Sequence, residues 1–257
     1  MKSCNFIGLE FQKMTKRLLD LTISSITLLL FSPIISIMLI LIWLQDFNNP
    51  LYIAQRVGKN GKLFKMFKLR SMVVNAEASG VDSTGNNDSR ITSVGKFIRK
   101  SKLDEISQLI NVLIGNMSLV GPRPNVKRET DLYSEDERII LEAKPGITDL
   151  ASIVFADEGD ILADKSNPDI AYNQLIRPYK SQLAIVYVKN RNIRLDLQIL
   201  SLTVVNFVIR KRALSEVSSI VRKISGDNDL AEVCLRQKPL VPKAPPGFNS
   251  IIESRDF

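Results

Sequence analysis

The sequence predicts a mostly α fold with a small β-hairpin (α+β), in which a membrane-dipping helix leads into a compact domain at the membrane surface. Three observations predict it. Residues 21–44 carry no charge, residues 51–72 alternate around a glycine-containing turn, and residues 101–124 carry apolar side chains at helical spacing. We expect these three segments to follow one another as membrane helix, hairpin and site helix.

The charge balance suggests an anionic partner, and the lack of His restricts the catalytic side chains that the protein can use. The 257 residues include 35 Lys and Arg against 27 Asp and Glu, a net charge of +8. Such an excess suits nucleic acid, a lipid surface or phosphorylated substrates. Because the chain has no His, it excludes Ser-His and His-zinc sites, and any acid-base chemistry rests on other side chains. The two cysteines, Cys4 and Cys234, form no disulfide framework.

The uncharged run at residues 21–44 is long enough to cross a bilayer, at about 36 Å against a hydrocarbon core of about 30 Å. Pro33 lies at its midpoint, where it removes a backbone hydrogen bond and bends a helix, and Ser32 can bond the freed carbonyl. Both flanks are basic, which marks the cytoplasmic side of a membrane. A helix broken at Ser32-Pro33 that enters and leaves by the same face fits both signals. The alternative is a proline-kinked helix that spans the bilayer.

The chain is accordingly divided into three parts. Residues 1–50 form the re-entrant membrane helix, residues 51–212 form the cytoplasmic domain, and residues 213–257 form a C-terminal extension with a proline-rich tail. In the second part, alternating residues around Gly58–Gly61 predict a hairpin, and its basic side chains suit lipid headgroups or a phosphorylated substrate. The small, polar stretch from Asn75 to Ser89 predicts a mobile loop.

An acidic pair, Asp104 and Glu105, opens the apolar segment that follows. Ser101 is predicted as the helix N-cap, which places Asp104 in the first turn, where the helix dipole favours ionisation. A purely structural role in the helix start is the alternative. Arg99 and Arg123 bracket the pair, an arrangement that suits phosphoryl groups approaching carboxylates. Because neighbouring residues on a helix point about 100° apart, one acid would attack or bind and the other would position or coordinate a divalent ion.

The segment KLDEISQLINVLIGNMSLVGPRP (residues 102–124) resembles the signature of the bacterial sugar transferase family, the small monotopic phosphoglycosyl transferases. Further matching segments occur in the same order along residues 13–210. They are Ser32-Pro33, FKMFKLRSM at residues 64–72, Asp88-x-Arg90-Ile91-Thr92 and Lys144-Pro145-Gly146-Ile147-Thr148.

The resemblance implies transfer of a sugar-1-phosphate from a nucleotide diphosphate sugar, expected to be a UDP-sugar, to undecaprenyl phosphate with release of UMP. Asp104 would be the nucleophile that forms a covalent phosphosugar intermediate. Glu105 would complete the dyad, with Mg²⁺ as the cofactor held by Asp104 and Glu105. The phosphate-binding residues would be Arg99, Arg123, Lys68 and Arg90, and Ser32-Pro33 would be the apex of the re-entrant helix.

The same resemblance implies a place of action and leaves one feature open. The protein would lie in the bacterial inner membrane, on its cytoplasmic face, in contact with membrane lipid, and would start assembly of a surface polysaccharide or glycan. The chain departs from the family pattern where glycine is replaced by Asp149 and glutamine by Ser152. These positions lie near the nucleotide-sugar side of the site in relatives, so the choice of donor is left open.

The C-terminal half yields coarser predictions. Leu150 to Phe155 predicts a strand, Ala156 to Pro168 an acidic, solvated loop, and Ile170 to Val188 a helix. Asp196 to Ile209 suits an interfacial or core helix with a basic end. From Gln237 onward, repeated prolines predict an extended or disordered tail.

Two other functions fit the sequence less well. A non-catalytic, membrane-anchored scaffold for a glycan assembly or export complex would have no need of the acidic pair and both arginines. A nucleic-acid binder is disfavoured because the basic residues gather beside the membrane run without interleaved aromatic residues.

Overall fold

The computed structural model describes residues 2–76 and 88–253, with side chains from Glu10 onward. Most of the predicted Asn75–Ser89 loop lies outside these residues. The described α-helices are α1 (Lys2–Asp46), α2 (Ser93–Lys100), α3 (Leu109–Ile114), α4 (Lys127–Asp131), α5 (Glu135–Arg138), α6 (Leu150–Val154), α7 (Glu158–Leu162), α8 (Pro168–Leu175), α9 (Arg177–Asn190), α10 (Ile193–Val208), α11 (Arg210–Ser225) and α12 (Asn228–Leu235). The strands are β1 (Leu51–Val57), β2 (Leu63–Leu69), β3 (Ser118–Val120) and β4 (Gly146–Thr148). The predicted mostly α fold with a small hairpin is confirmed.

Helix α1 passes through the predicted break. It is one helix of 45 residues with Pro33 inside it, rather than two helices separated by a break. The Ser32 hydroxyl donates to the carbonyl of Leu29 at 2.8 Å. Pro33 has no N–H to donate to this carbonyl, so the Ser32 hydroxyl replaces the missing hydrogen bond, as the sequence predicts. The part from Glu10 to Asp46 is long and apolar enough to cross a membrane. Only 11% of its most apolar 18-residue stretch is buried inside the protein.

Both ends of the apolar part of α1 pack against the rest of the protein. At the first end, the Asp20 carboxylate accepts from the backbone N–H of Leu119 at 3.0 Å and from Ser118. At the other end, Met38 and Ile42 are buried in a small apolar cluster with Leu69 of β2, Ile98 of α2 and Leu103. Between these ends the helix exposes large apolar side chains, among them Ile26, Leu29 and Leu30.

The hairpin forms where the sequence predicts it. Strands β1 and β2 pair antiparallel, from Leu51 opposite Leu69 to Val57 opposite Leu63. Asn60 and Gly61 both have positive φ, 56° and 75°, which the tight turn requires and which Asn and Gly tolerate.

The main apolar core joins the hairpin to α3, β3 and helices α6 to α12. Strands β3 and β4 pair in parallel. The backbone of Gly121, directly after β3, touches that of Gly146, the first residue of β4, so closely that a Cβ on Gly121 would lie 2.3 Å from the carbonyl oxygen of Lys144. This close approach requires glycine and fixes the start of the segment that carries Arg123.

Two predictions for the C-terminal half are wrong. The predicted strand at Leu150–Phe155 is largely helix α6, because the Asp149 carboxylate accepts from the N–H of Ser152 at 2.6 Å and caps the helix. The predicted solvated loop at residues 156–168 contains helix α7, and at least two of its four acids form ion pairs. Asp157 pairs with Arg210 at 2.9 Å and with Arg236 at 3.2 Å, and Glu158 pairs with Lys180.

The C-terminal residues belong to the same core. Ala213, Leu214 and Val217 of α11 and Leu230 of α12 are buried in it. The tail from Gln237 to residue 253 forms no helix or strand, and it packs across the protein rather than projecting from it.

Candidate active site

The acidic pair lies in a short 3₁₀ helix, Leu103–Gln108, between α2 and α3. The prediction that Ser101 caps this helix is wrong. Ser101 ends α2 instead, with its hydroxyl donating to the carbonyl of Phe97 at 2.8 Å. Lys102 then turns the chain with φ 56° before the 3₁₀ helix begins. Asp104 and Glu105 therefore sit just after a sharp turn, anchored below by the buried Leu103.

Polar side chains fix this segment against strand β2. The Ser107 hydroxyl donates to the carbonyl of Phe67 at 3.1 Å. Asn111 uses both ends of its amide, accepting from the N–H of Phe67 at 2.9 Å and donating to the carbonyl of Lys65 at 2.6 Å. The next residue of the strand after Phe67 is Lys68, so the same contacts that hold the acidic pair also place a lysine beside it.

Lys68 and Arg123 converge on the two acids. The Lys68 Nζ lies 3.8 Å from Asp104 Oδ2 and 3.9 Å from Glu105 Oε1. Arg123 Nη2 donates to Glu105 Oε1 at 2.7 Å. The two carboxylates thus share one ammonium group, contrary to the expectation from helix geometry that they would point to separate places. They differ in their other contacts, because the Arg123 guanidinium donates a hydrogen bond to Glu105 and none to Asp104 among the described contacts.

The electrostatic environment shifts the pKa values of the two acids in opposite directions. Burial raises the pKa of Asp104, and the neighbouring Glu105 carboxylate adds to that rise, whereas Lys68 opposes it. Burial acts in the same direction on Glu105, but Arg123 and Lys68 outweigh it and lower the pKa of Glu105 to about 2. Burial and the nearby Arg123 also lower the pKa of Lys68. Glu105 is therefore a fixed anion, while Asp104 is the acid held less firmly in its charged form.

The pair fits a magnesium ion. Asp104 Oδ1 is buried and has no hydrogen-bond partner among the described residues. Within the same part of the chain, no cluster of three or more acidic, His or Cys side chains forms a complete metal cage. Mg²⁺ typically takes one or two carboxylates and completes its shell with water and substrate phosphates. An acceptor oxygen without a partner beside a second carboxylate is compatible with such an ion.

The remaining predicted phosphate ligands, Arg99 and Arg90, have different surroundings. Arg99, on the last turn of α2, is half-buried and close enough to favour the charged form of Asp104. Arg90 is engaged elsewhere: its Nη2 donates to Asp88 at 2.6 Å and its Nη1 to the carbonyl of Ala76 at 3.1 Å. The structure therefore brings Lys68 and Arg123 to the acids, leaves Arg99 without a direct contact to them among the described hydrogen bonds and ion pairs, and ties Arg90 into the neighbouring turn.

A cleft opens on the other side of Arg123. We call it the Arg123 cleft; its polar lining includes Arg123, Asn125, Tyr133, Asp149, Ser152, Tyr172, Arg177 and Lys180. Both departures from the family pattern, Asp149 and Ser152, are in this lining. Because Asp149 caps α6, its carboxylate is already committed to the fold.

Sequence reasoning missed the residues that α9 contributes to this cleft. Arg177 and Lys180 are three residues apart on one helix, so they share a face, and that spacing was the available signal. Arg177 is 3% exposed and donates from Nη2 to Glu137 at 2.8 Å. Lys180 pairs with Glu158, and this pairing outweighs burial and lowers the pKa of Glu158.

Comparison with known proteins identifies the family. A family model described as "Bacterial sugar transferase" matches residues 11–210. The undecaprenyl-phosphate galactose phosphotransferase of Salmonella typhimurium is 40% identical over 174 residues, covering 61% of this chain and 36% of that protein. The UDP-glucose:undecaprenyl-phosphate glucose-1-phosphate transferase of Klebsiella pneumoniae is 36% identical over 202 residues, covering 77% of this chain and 41% of that protein.

A third relative carries a different sugar in its name. The UDP-N-acetylgalactosamine-undecaprenyl-phosphate N-acetylgalactosaminephosphotransferase of Aeromonas hydrophila is 33% identical over 192 residues, covering 74% of this chain and 42% of that protein. The chain thus spans about two fifths of the length of these relatives. Their names share the lipid phosphate and differ in the sugar. Since the family match covers most of the chain, this protein belongs to the bacterial sugar transferase family.

Proposed function

We propose that this protein is a polyprenyl-phosphate phosphoglycosyl transferase that moves a sugar-1-phosphate from a UDP-sugar to undecaprenyl phosphate. The observation that carries the proposal is the acidic pair itself. Two carboxylates meet one lysine, a second cation holds Glu105, and Asp104 keeps a buried oxygen without a partner among the described residues. Family membership and the names of the relatives supply the substrate class.

The reaction proceeds in two displacements at the phosphorus that carries the sugar. An Asp104 carboxylate oxygen forms a bond to this phosphorus, and the bond to the bridging oxygen breaks, so UMP leaves with the electron pair. A phosphate oxygen of undecaprenyl phosphate then attacks the same phosphorus. The Asp104–phosphorus bond breaks, which regenerates the carboxylate and yields the lipid diphosphate sugar.

The neighbouring cations neutralise the phosphates during both displacements. Arg123 is half-exposed and lies between Glu105 and the cleft, so it can hold a donor phosphate while keeping Glu105 ionised. Lys68 lowers the pKa of Asp104 against the effect of burial and so favours its charged, nucleophilic form. Arg99, at the end of α2, is the third cation of this group. Arg90 is a weaker candidate, since Asp88 already holds its guanidinium.

Magnesium is the proposed cofactor, held by Asp104 and Glu105. When bound, such an ion neutralises the diphosphate and makes UMP a better leaving group. Glu105 stays ionised through Arg123, so it can serve both as a ligand and as the group that orients the lipid phosphate.

The donor nucleotide is assigned to the Arg123 cleft, which lies beside the acids and has a polar lining. Its aromatic and basic side chains, Tyr172 and Lys180 among them, suit a nucleoside diphosphate. The donor sugar would then meet the part of the lining that includes Ser152, one of the two positions where this chain departs from the family pattern.

The acceptor would reach the acids from the membrane, and the packing of α1 supports a one-sided arrangement. Asp20 and Ile42 are 22 residues apart, about 33 Å along a helix. A bilayer core of about 30 Å would separate these ends if α1 spanned it. One folded domain contacts both ends, which supports a helix that dips into the inner membrane from the cytoplasmic face.

A second apolar surface extends this contact. At the end of α10, Val204, Phe207 and Val208 are 67%, 68% and 80% exposed, and Lys211 and Arg212 follow them. Apolar side chains beside cations suit insertion at the boundary between lipid tails and headgroups. Helix α10 is joined to α1 by the ion pair between Asp196 and Lys16, so the two surfaces belong to one body.

Release of UMP tests the proposed function. Detergent-solubilised protein is incubated with undecaprenyl phosphate, Mg²⁺ and each member of a panel of UDP-sugars. We expect UMP from one donor in proportion to lipid diphosphate sugar, and none from the Asp104→Asn variant. Absence of UMP with every donor, from protein that is folded by circular dichroism, would support the scaffold function instead. The variant Asp131→Asn, at an exposed aspartate, is the matched control.

A further inference from the structure

The residues after α12 form a strap that crosses the back of the Arg123 cleft. We define the C-terminal strap as residues 237–253. It begins beyond residue 210, where the family match ends, so family membership assigns it no role. The strap is held by hydrogen bonds to three separate elements, as the following contacts show, although it forms no helix or strand.

Two helices that line the cleft hold the strap from below. Tyr179 of α9 donates its hydroxyl to the carbonyl of Val241 at 2.8 Å. Gln174 of α8 bonds the strap twice: its carbonyl accepts from the N–H of Lys243 at 3.0 Å, and its side chain donates to the carbonyl of Ile252 at 2.7 Å. Ile252 is 3% exposed, so the far end is buried as well as bonded.

The middle of the strap docks on the start of α5 through a glycine. The Ser134 hydroxyl donates to the carbonyl of Pro246 at 2.6 Å. Gly247 follows with φ 78°, and a Cβ there would lie 2.6 Å from the Ser134 hydroxyl oxygen. Only glycine permits both the left-handed turn and this close approach. The turn directs the next residue, Phe248, toward Arg177.

Phe248 completes an aromatic enclosure around the Arg177 guanidinium. The Arg177 Cζ lies 5.5 Å from the centroid of the Phe248 ring and 5.8 Å from that of Tyr133. The same guanidinium bonds Glu137 and the carbonyl of Leu132. Tyr133 in turn accepts a hydrogen bond from Asn125 at 2.8 Å. Arg177, Tyr133 and Asn125 all line the cleft, so the strap contacts its wall from outside.

We propose that the C-terminal strap is a positioning element that sets donor affinity, with Phe248 holding Arg177 and Tyr133 in the wall of the Arg123 cleft. This inference rests on the proposed function, because it takes the cleft as the site of the nucleoside diphosphate sugar. Phe248 touches no substrate. It acts by fixing two side chains in the wall of the cleft, so its loss loosens the wall, weakens donor binding and leaves the chemistry at Asp104 unchanged.

The kinetic test compares Phe248→Ala with Val241→Ala. Val241 is 66% exposed and joins the strap contacts through its backbone carbonyl, so its truncation keeps the strap in place. We expect Phe248→Ala to raise the KM for the UDP-sugar about fivefold, with kcat within twofold and the KM for undecaprenyl phosphate unchanged. Phe248→Tyr should restore the donor KM. An unchanged donor KM in Phe248→Ala, or an equal rise in Val241→Ala, would overturn the proposal.

Hydrogen exchange tests the strap independently of catalysis. We expect amides at residues 132–138 and 173–181 to exchange about tenfold faster in Phe248→Ala and in Gly247→Ala than in the wild type. Unchanged hydrogen exchange in both variants would overturn the proposed role of the strap, even if the enzyme is active. If the wild type releases no UMP with any donor, the proposed function fails, and faster exchange would then support the strap as a holder of the wall.

Discussion

Two buried groups of charges lie on either side of the Arg123 cleft, and they are built differently. In the first group, Glu137 and Arg177 are 0% and 3% exposed and form an ion pair. The Glu137 carboxylate also accepts a hydrogen bond from Ser181. The Arg177 guanidinium also donates to Asn173 and to the carbonyl of Leu132. At the other, Lys68 stands 3.8 Å from Asp104, beyond hydrogen-bond distance, and Asp104 Oδ1 has no partner within the described chain.

The difference distinguishes a charge that serves the fold from one that serves the reaction. A buried ion pair with every hydrogen bond made is stable but has nothing left to offer a ligand. A buried carboxylate that is half-satisfied costs stability and keeps an oxygen available for a substrate or an ion. By this criterion, Glu137 and Arg177 are structural, whereas Asp104 has the features of the reactive acid that we propose.

The comparison predicts its largest effect at Asp104. Asp104→Asn should lower UMP release by more than about 1,000-fold, because it removes the proposed nucleophile. It should not lower stability, since burial raises the pKa of Asp104 and its charge therefore opposes folding at neutral pH. A gain of about 1 kcal/mol would raise Tm by about 2–4 °C.

The measurement is UMP release together with thermal unfolding in the same detergent. The Asp131→Asn control should match the wild type in both. A substantial fall in Tm for Asp104→Asn would place Asp104 with the structural charges and remove the distinction.

Glu137 should show the opposite pattern. Glu137→Gln leaves the Arg177 charge buried without its partner, which should cost about 3–5 kcal/mol of unfolding free energy. The folded fraction should keep its kcat. Denaturant unfolding gives the stability loss, and adding Arg177→Met should recover part of it, because the orphaned charge is then removed. A loss of kcat in folded Glu137→Gln at saturating substrate would contradict the structural assignment.

Glu105 should behave as an intermediate case with a defined pH dependence. Its pKa is lowered to about 2 in the folded protein, so its stabilising effect is present above its unfolded pKa and is lost as pH falls toward 2. Glu105→Gln should therefore cost on the order of 2 kcal/mol at pH 7, and the gap to the wild type should close on acidification. Unfolding curves at pH 7, 5 and 3 measure it. If the difference in unfolding free energy between Glu105→Gln and the wild type did not change with pH, the ion pair with Arg123 would not be its cause.

The smallest effect is a shift in the pH profile through Lys68. Turnover should fall at low pH as Asp104 takes up a proton, and this limb should lie above the ordinary pKa of an aspartate. Since Lys68 lowers the pKa of Asp104, Lys68→Gln should move the limb upward by about 1 pH unit. Profiles of kcat/KM against pH test this, with the exposed Lys65→Gln as control. A downward shift would exclude Asp104 as the group that titrates.

Much of the fold could be predicted because local patterns determine it. The alternation around Gly58–Gly61 gives the hairpin, and the uncharged run gives α1. Pro33 was expected to divide that helix, but the Ser32 hydroxyl satisfies the carbonyl of Leu29 and the helix continues. Leu150–Phe155 was predicted as a strand because a short apolar run has no decisive period, and the cap supplied by Asp149 determines the outcome.

The site could be predicted only in part, because its partners come from distant segments. The acidic pair and Arg123 lie within one motif, which is why the sequence indicates them together. Lys68 reaches the pair only through the contacts of Ser107 and Asn111 with β2, and no spacing along the chain encodes them. The strap lies further still, since Phe248 meets Arg177 across 71 positions. Such contacts depend on the folded core rather than on periodicity.

The central claim is that Asp104 forms a covalent bond to the sugar phosphate. Its most direct test is the intact mass of the protein after incubation with Mg²⁺ and the active UDP-sugar, without undecaprenyl phosphate. The account predicts a mass increase of one sugar phosphate, located on the peptide that contains Asp104, and one UMP released per modified chain. Adding undecaprenyl phosphate should remove it. Turnover with both substrates, but no adduct and no UMP when the lipid is withheld, would contradict the claim.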